Sequence, residues 1–289
     1  MKPFTYHAPT TVDEAVAMLE QYQSSCAVVA GGTDVIIELN ERHKTPAHVI
    51  AIDKLSELRY IKEEEGLVKI GALTTFDDLE NDAYVQEHLP ALWETAVHVG
   101  SPQIRNLGTV GGNVVNASVA GDSPTTFLTY GAQVVLKSAG GERVMTIEDF
   151  NKGPGNCAIR PDELLTEIRF PALSGDEAVG YFKIGKRKSL AIVVLAVAIY
   201  IKRTSDNKVE DCRVVLGAVS KHPMRSPELE ALLKGRALTK QSLDDTLPAF
   251  TDAVQAAIPT RPSVVYKRED VRGAARRCFD QIISQFGLA

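Results

Sequence analysis

The chain has 289 residues, a formal net charge of −5 and a pI near 5.8. That length allows two domains, and the acidic balance argues against a nucleic-acid surface. With 44% hydrophobic and 24% charged residues, the composition is that of an ordinary globular protein.

The start, MKPFTYHAPTTVDEA, lacks the apolar core of a signal peptide. Thr11 and Glu14 have capping-box spacing, and Val12, Ala15, Leu19 and Tyr22 fall on one face of the helix expected to follow. Residues 26–30 (CAVVA) read as a short buried strand. Gly31-Gly32-Thr33 breaks it, a helix is expected from Asp34, and 48–53 reads as another strand. Residues 58–73 read as a hairpin turning near Glu65-Gly66. Thr75 is placed to cap a short helix, with Asp78 three residues on, and a longer helix is expected over 91–99. The stretch GTVGGNVVNASVAGDSP (108–124) comes next, then a short helix over 123–130. A hairpin over 133–147 turns at Gly140-Gly141, and a strand over 164–170 stops at Pro171.

The polar connection 173–177 (LSGDE) marks a boundary. Beyond it lie three long strand candidates, 180–184, 190–202 and 209–219, the last two joined by a turn at Asp206-Asn207. The apolar run 190–201 is too short to span a bilayer and reads as a buried strand. Helices are expected over 228–234, 242–258 and 269–286, the last burying Val271, Ala275, Cys278 and Ile282. The chain thus reads as α+β in two parts, neither a regular run of βαβ units, with a cytoplasmic location expected. Cys26, Cys157, Cys212 and Cys278 form no CxxC pair, so each reads as a small buried hydrophobe and no metal site is expected.

AGGTD (30–34) and GTVGGN (108–113) are the informative pair. Glycines permit positive φ and close backbone approach. Successive amides in such turns bind anions without a cationic side chain, so two of them could cradle a pyrophosphate. There is no G-x-G-x-x-G after the first strand, which leaves a Rossmann site unsupported. Gly180 to Lys186 nearly matches a Walker A loop, but Arg187 stands where Ser or Thr should bind magnesium. Asp122 reads either as the N-cap of the following helix or as a ribose ligand.

AGGTD, GTVGGNVVNASVAGDSP, RPDELLTEIRFP and YFKIGKRKSLAIV together resemble, in order and over essentially the whole chain, the flavoprotein subunit of the molybdenum hydroxylase family. That family includes the xanthine, nicotinate and aerobic carbon monoxide dehydrogenases. The resemblance implies a vanillyl-alcohol-oxidase (PCMH)-type FAD-binding domain over 1–175, in subdomains of about 1–56 and 57–175. A smaller α+β domain over 176–289, an antiparallel sheet backed by helices, would follow. It implies that Val29, Ala30, Gly31, Gly32, Thr33, Asp34, Val35 and Ile36 form the first pyrophosphate loop. Thr109, Gly111, Gly112 and Asn113 would form the second, with Asn116 also binding cofactor. Asp122 would meet the ribose or adenine, Leu165 would lie against FAD, and Lys183 would sit near the isoalloxazine.

Two departures stand out. Val99 lies where relatives place a stacking aromatic, and Leu190 stands in KSLAIV where many have an acidic residue bordering a loop near the flavin. The cluster-binding cysteine motifs of the family are absent from this chain. The resemblance therefore implies partners: an iron–sulfur subunit with two 2Fe-2S clusters and one or more molybdopterin subunits, assembled as a dimer of heteromers. FAD would take electrons from the clusters and pass them to NAD or another acceptor, and the overall reaction would hydroxylate a purine or other N-heterocycle. The basic run 186–188 reads as a solvated turn rather than an acceptor site. The alternatives are an aldehyde or carbon monoxide dehydrogenase flavoprotein subunit, a stand-alone FAD oxidoreductase of the same fold, and a nucleotide-binding subunit without redox work.

Overall fold

The computed structural model describes residues 1–187 and 190–288. The expectations that touch Lys188 and Ser189, at the end of the basic run and the start of KSLAIV, lie outside the described residues.

The N-terminal residues build a small parallel sheet. β1 (Thr5–His7), α1 (Val12–Tyr22), β2 (Cys26–Val29), α2 (Val35–Asn40) and β3 (His48–Ala51) follow in order, with β3 central between β1 and β2. β2-α2-β3 is a βαβ crossover: the strand, helix and strand were each expected, their parallel pairing was not. Thr11 caps α1 as expected, its Oγ1 accepting from the Glu14 amide at 3.2 Å. Val12, Ala15, Val16 and Leu19 then pack on Ile50, Leu55 and Leu164.

A larger antiparallel sheet comes next. β4 (Ile61–Glu64) and β5 (Leu67–Gly71) form the first hairpin, with positive φ at both Glu65 and Gly66. The helices α3 (Phe76–Asn81), α4 (Ala83–His88), α5 (Pro90–Val97), α6 (Pro102–Arg105), α7 (Val110–Asn116) and α8 (Asp122–Tyr130) follow. Thr75 and Asp78 make the full capping box of α3. Then come β6 (Gln133–Ser138), β7 (Gly141–Thr146), α9 (Ile147–Phe150), β8 (Asn151–Gly153), β9 (Asn156–Cys157) and β10 (Leu164–Pro171). The five-stranded sheet runs β4-β5-β10-β6-β7. Every residue of α8 is buried, because the helix lies between this sheet and the next.

The last sheet is antiparallel, in the order β11 (Glu177–Gly185), β12 (Val193–Arg203), β13 (Val209–Gly217) and β14 (Met224–Arg225). Its helices are α10 (Pro227–Leu233), α11 (Lys240–Asp244), α12 (Leu247–Ala257) and α13 (Val264–Gln285). Side chains alternate along a strand. On one face Ala178, Phe182, Leu195, Val197, Val214 and Leu216 pack on these helices. On the other, Val179, Tyr181, Ala196, Ala198 and Val215 join the core that contains α5 and α8. Burial on both faces explains the unbroken apolar run, since a half-solvated strand would alternate with polar residues. Fully burying each Val or Leu is worth about 1.5–3 kcal/mol, so docking this sheet is a large part of the chain's stability.

Several expected boundaries move. The helix expected over 242–258 is two, with Pro248 in the first turn of α12, where a missing amide is tolerated. α13 begins at Val264 rather than 269. The near-Walker stretch is mostly strand β11, and Gly180 is needed there because a Cβ would fall 2.5 Å from the Cys278 carbonyl oxygen of α13. Cys212 and Cys278 are buried, but Cys26 and Cys157 are only half-buried. No helix among the described residues is long and apolar enough to cross a membrane.

Candidate functional site

A cavity of about 570 Å³ opens between the parallel sheet and the five-stranded sheet. Ala30, Gly31, Gly32, Thr33, Asp34 and Val35 line it from the first glycine motif. Thr109, Gly111, Gly112, Asn113 and Asn116 line it from the second, with Leu165 and Val99 nearby. Four of the residues expected at the site stand back from the wall: Val29, Ile36, Asp122 and Lys183. Val29 and Ile36 flank Gly32, 3.8 and 3.1 Å from where its Cβ would sit.

The first motif packs against the backbone at the start of the second, and the glycines have separate causes. A Cβ on Gly31 would fall 1.7 Å from the Leu107 carbonyl oxygen. One on Gly111 would fall 2.7 Å from Ala72 Cβ and from its carbonyl oxygen. Gly32 has φ +73°, which favours glycine. Neither Gly32 nor Gly112 has a backbone obstacle; the nearest neighbour of a Cβ on Gly112 is Thr109 Oγ1 at 2.9 Å. Packing of chain against chain therefore requires glycine at 31 and 111.

The motifs also differ in what they offer. The second is not a turn but the first part of α7. Thr109 caps that helix, its Oγ1 accepting from the Gly112 amide at 3.0 Å. The Val110 and Gly111 amides donate to the Thr74 and Ala72 carbonyls at 2.9 and 3.0 Å. These donors are spent on the fold. Among the described residues, by contrast, no acceptor meets the amides of residues 31–35. Five successive unspent amides on a cavity wall are the donor set of an anion cradle, suited to a diphosphate. The clamp expected from sequence is asymmetric: the first motif holds the donors, and the second is a rigid wall.

The cavity wall also carries charges to which the sequence reading gave no role. Lys44 and Arg160 line it from loops distant in sequence, with Glu38 and Glu163 beside them. Lys44 pairs with Glu38 at 2.7 Å. Arg143 holds Glu163 through two bonds of 2.9 and 2.7 Å, and the Arg160 amide donates to the same carboxylate at 2.8 Å. Burial raises the Glu163 carboxyl, but these bonds outweigh it and leave the group below its ordinary value. Apolar wall comes from Phe76, Ile104, Leu73 and Leu164, with Val99 filling part of that surface as an aliphatic group.

Asp122 and Lys183 meet each other. Asp122 is the first residue of α8; Gly121 is the N-cap, so the expected capping role is corrected. Its carboxylate is taken elsewhere: Lys183 Nζ donates to Oδ2 at 2.6 Å and the Tyr181 hydroxyl to Oδ1 at 3.1 Å. The side chains of Lys183 and Asp122 are 4% and 7% exposed, so Lys183 is not a solvated strand residue. Burial pushes the Asp122 carboxyl upward, against the pull of Lys183 and Tyr181. Lys183 Nζ also donates to the His98 carbonyl at 2.9 Å, beyond the end of α5. Leu190, by the loop before β12, is exposed with φ +54°, and its carbonyl accepts from Arg187 Nε at 2.8 Å.

A family model described as the FAD binding domain in molybdopterin dehydrogenase matches residues 2–173, and the carbon monoxide dehydrogenase flavoprotein C-terminal domain matches 180–282. The chain is 40% identical to a nicotinate dehydrogenase FAD-subunit of Eubacterium barkeri, over 99% of this chain and 98% of that one. It is 34% identical to the carbon monoxide dehydrogenase medium chain of Hydrogenophaga pseudoflava, over 94% and 90%. Among solved structures, a carbon monoxide dehydrogenase from Hydrogenophaga pseudoflava lacking the Mo-pyranopterin moiety superposes with a TM-score of 0.88. It is 31% identical, and the match covers 99% of both chains. Quinoline 2-oxidoreductase from Pseudomonas putida 86 has a TM-score of 0.85 at 21% identity, covers 100% of both chains, and shares the fold.

Proposed function

The chain belongs to the FAD-binding subunits of the molybdopterin dehydrogenases, and from that premise we propose that it holds FAD between its two glycine motifs as the electron-output subunit of a larger oxidoreductase. The observation that carries this reading is the run of five unspent amides, 31–35, on the wall of the cavity. Bound FAD supplies one- and two-electron redox capacity. The chain's own residues do the rest. The amides of 31–35 hold the diphosphate, with the Thr33 hydroxyl as a further donor. Asn113 and Asn116 offer side-chain amides from α7. Leu165, Val99 and Phe76 give an apolar wall that excludes water. In this reading residues 1–175 form the FAD-binding domain and 176–289 the smaller one, in a cytoplasmic complex.

The electrons come from an iron–sulfur subunit carrying two 2Fe-2S clusters, fed by a molybdopterin subunit, and leave to NAD or a comparable acceptor. The hydroxylated substrate is an N-heterocycle, a reading supported by the 40% identity to the nicotinate dehydrogenase FAD-subunit. The test is direct. The purified full chain, titrated with FAD, is expected to quench flavin fluorescence at one equivalent and to acquire flavin bands. Absence of uptake would sink the cofactor reading. Co-purification with iron- and molybdenum-containing chains is expected; a flavin-loaded chain that oxidises substrate alone would replace the subunit reading with a stand-alone enzyme.

A further inference from the structure

Two histidines meet at the end of α1, in a cluster that the proposed function does not use. His7 on β1 and His48 on β3 are half-buried, with His7 Nε2 3.1 Å from His48 Nδ1. Tyr22 is the last residue of α1. Its ring stacks on His48 at 3.9 Å between centroids and lies 4.9 Å from His7. Cys26 of β2 is the register partner of His48 and shares its face of the sheet; burial pushes its thiol up, so it stays neutral. β1, β2 and β3 carry no carboxylate, lysine or arginine. On α1, Asp13 pairs with Lys137 at 2.8 Å, Glu14 accepts from Thr10 and Glu20 is exposed. Among the described residues, the histidines that approach a carboxylate are His43, His88 and His98, so no anion offsets charge on this pair. The cluster joins the cavity wall through the chain. Gln23, Ser24 and Cys26 follow Tyr22 and line the cavity. Gln23 takes φ +48°, which a residue with a side chain disfavours, so the turn depends on its neighbours. Ser25 Oγ donates to the Tyr22 carbonyl, and the amide of Ala47, next to His48, donates to the Ser25 carbonyl at 2.9 Å.

We propose that His7 and His48 form a proton-operated catch on the cavity wall, closed at neutral pH and released by acid. The hydrogen bond needs one ring nitrogen to accept, so it survives with both rings neutral or with a single proton added. The C-terminal end of α1 favours that single cation. A proton on each ring leaves no acceptor and sets two cations side by side with no carboxylate to meet them. β1 then parts from β3, Tyr22 leaves His48, and the turn 22–26 loses its support as cavity wall. Histidine changes charge between pH 5 and 8. The released form binds more protons than the closed one, so FAD is held at the neutral end of that window and given up toward its acid end. By the same linkage, bound FAD opposes the second protonation. The catch rests on the cavity being the FAD site proposed above.

The experiment uses the full chain and the variants His7→Gln and His48→Gln, each of which removes one titrating ring. FAD is titrated at about pH 7.5 and about pH 5.5. The wild-type dissociation constant is expected to rise about 10-fold on acidification, the equivalent of one net hydrogen bond at the upper end of its range. Each variant is expected to bind FAD within about 3-fold of wild type at the higher pH, and to lose most of the acid rise. His43→Gln, at an exposed histidine, is the control and is expected to keep the wild-type rise. In the flavin-free chain, amide protection at residues 22–26 is followed over the same pH range, relative to the intrinsic exchange rate at each pH. It is expected to fall with acid in wild type and to hold in the two variants. An acid rise that persists in both variants would overturn the catch. So would protection at 22–26 that ignores pH in wild type, a comparison that stands even where a variant fails to fold. A wild-type chain that takes up no FAD at neutral pH would defeat the function proposed above, while protection at 22–26 would still judge the catch.

Discussion

Gly31 packs against the Leu107 carbonyl, just before the second glycine motif, and this makes Gly31→Ala the most informative substitution. The added Cβ would sit 1.7 Å from the Leu107 carbonyl oxygen and 2.5 Å from its carbon. An ordinary carbon–oxygen contact is about 3.3 Å, so the motifs must part by about 1.6 Å. Both partners are backbone, so no side chain can swing aside. Overpacking of this kind costs about 1–3 kcal/mol. If the strain is released by parting the loops, it appears as a rise of roughly 5- to 150-fold in the FAD dissociation constant. The assay is a fluorescence titration of the apoprotein, backed by melting with and without FAD. At FAD 100-fold above the wild-type dissociation constant, bound ligand stabilises wild type by about 2.7 kcal/mol. A variant weakened 100-fold keeps only about 0.4 kcal/mol of that. Gly175→Ala is the control, because a Cβ there meets nothing within 4 Å. If Gly31→Ala bound FAD and melted like the control, contact between the motifs would not shape the site.

The other glycines and charges separate folding from binding. Gly111→Val should destabilise the chain itself by about 2–4 kcal/mol in denaturant unfolding, because its side chain runs into Ala72. At Gly112 a Cβ meets only Thr109 Oγ1, so Gly112→Val should lower FAD affinity in titration while costing the fold less than Gly111→Val does. Glu163 has a folded carboxyl held below its ordinary value, so its contribution to stability is present above that value and lost as pH falls through the folded one. Glu163→Gln should therefore flatten the acid limb of stability against pH, measured by chemical unfolding at a series of pH values. An unchanged limb would contradict the role given to Arg143 and the Arg160 amide. Glu230 is buried and accepts from Val214 N at 3.1 Å and from Arg225 at 3.0 and 2.7 Å. Glu230→Ala strands both donors and should cost about 2–3 kcal/mol in unfolding, with FAD affinity unchanged.

The parts of the fold legible in sequence were those with local causes. Thr11 and Thr75 announced their helices because a cap is set by residues three apart. Glu65-Gly66 announced its hairpin through Gly66, which takes positive φ without a steric cost, although Glu65 takes it too. α7 was not legible: a helix opening with Val-Gly-Gly contradicts propensity, and it forms because Ala72 and Thr74 receive its first amides from far along the chain. The parallel pairing of β2 and β3 was hidden for the same reason, since short strands of mixed burial carry no period. At the site, the paired glycine motifs were visible, but their meaning was not. Sequence could say that small residues were wanted at 31 and 111; only the fold shows that Leu107 and Ala72 want them. Lys44 left no trace because a single charge in a loop resembles any solvated surface, and Arg160 was visible only as the first residue of RPDELLTEIRFP, with no role attached. Asp122 and Lys183 were singled out as two separate contacts, and their meeting depends on how a strand from one half lies on a helix of the other.

The two-sided burial of the last sheet has a consequence for how this protein is made. Translation completes residues 1–175 first, and the remaining residues of the 289 follow at about 5–20 per second, roughly 6–23 s of synthesis. Until β11 to β13 have been made, the outer faces of α5 and α8 are bare apolar surface, and until Lys183 is made Asp122 has no cation to meet. A nascent chain in that state is a natural client for a chaperone, and ribosome pausing after residue 175 would prolong the exposure. Rare codons placed there would raise aggregation, whereas the same codons after β13 would come once the bare surface is already covered.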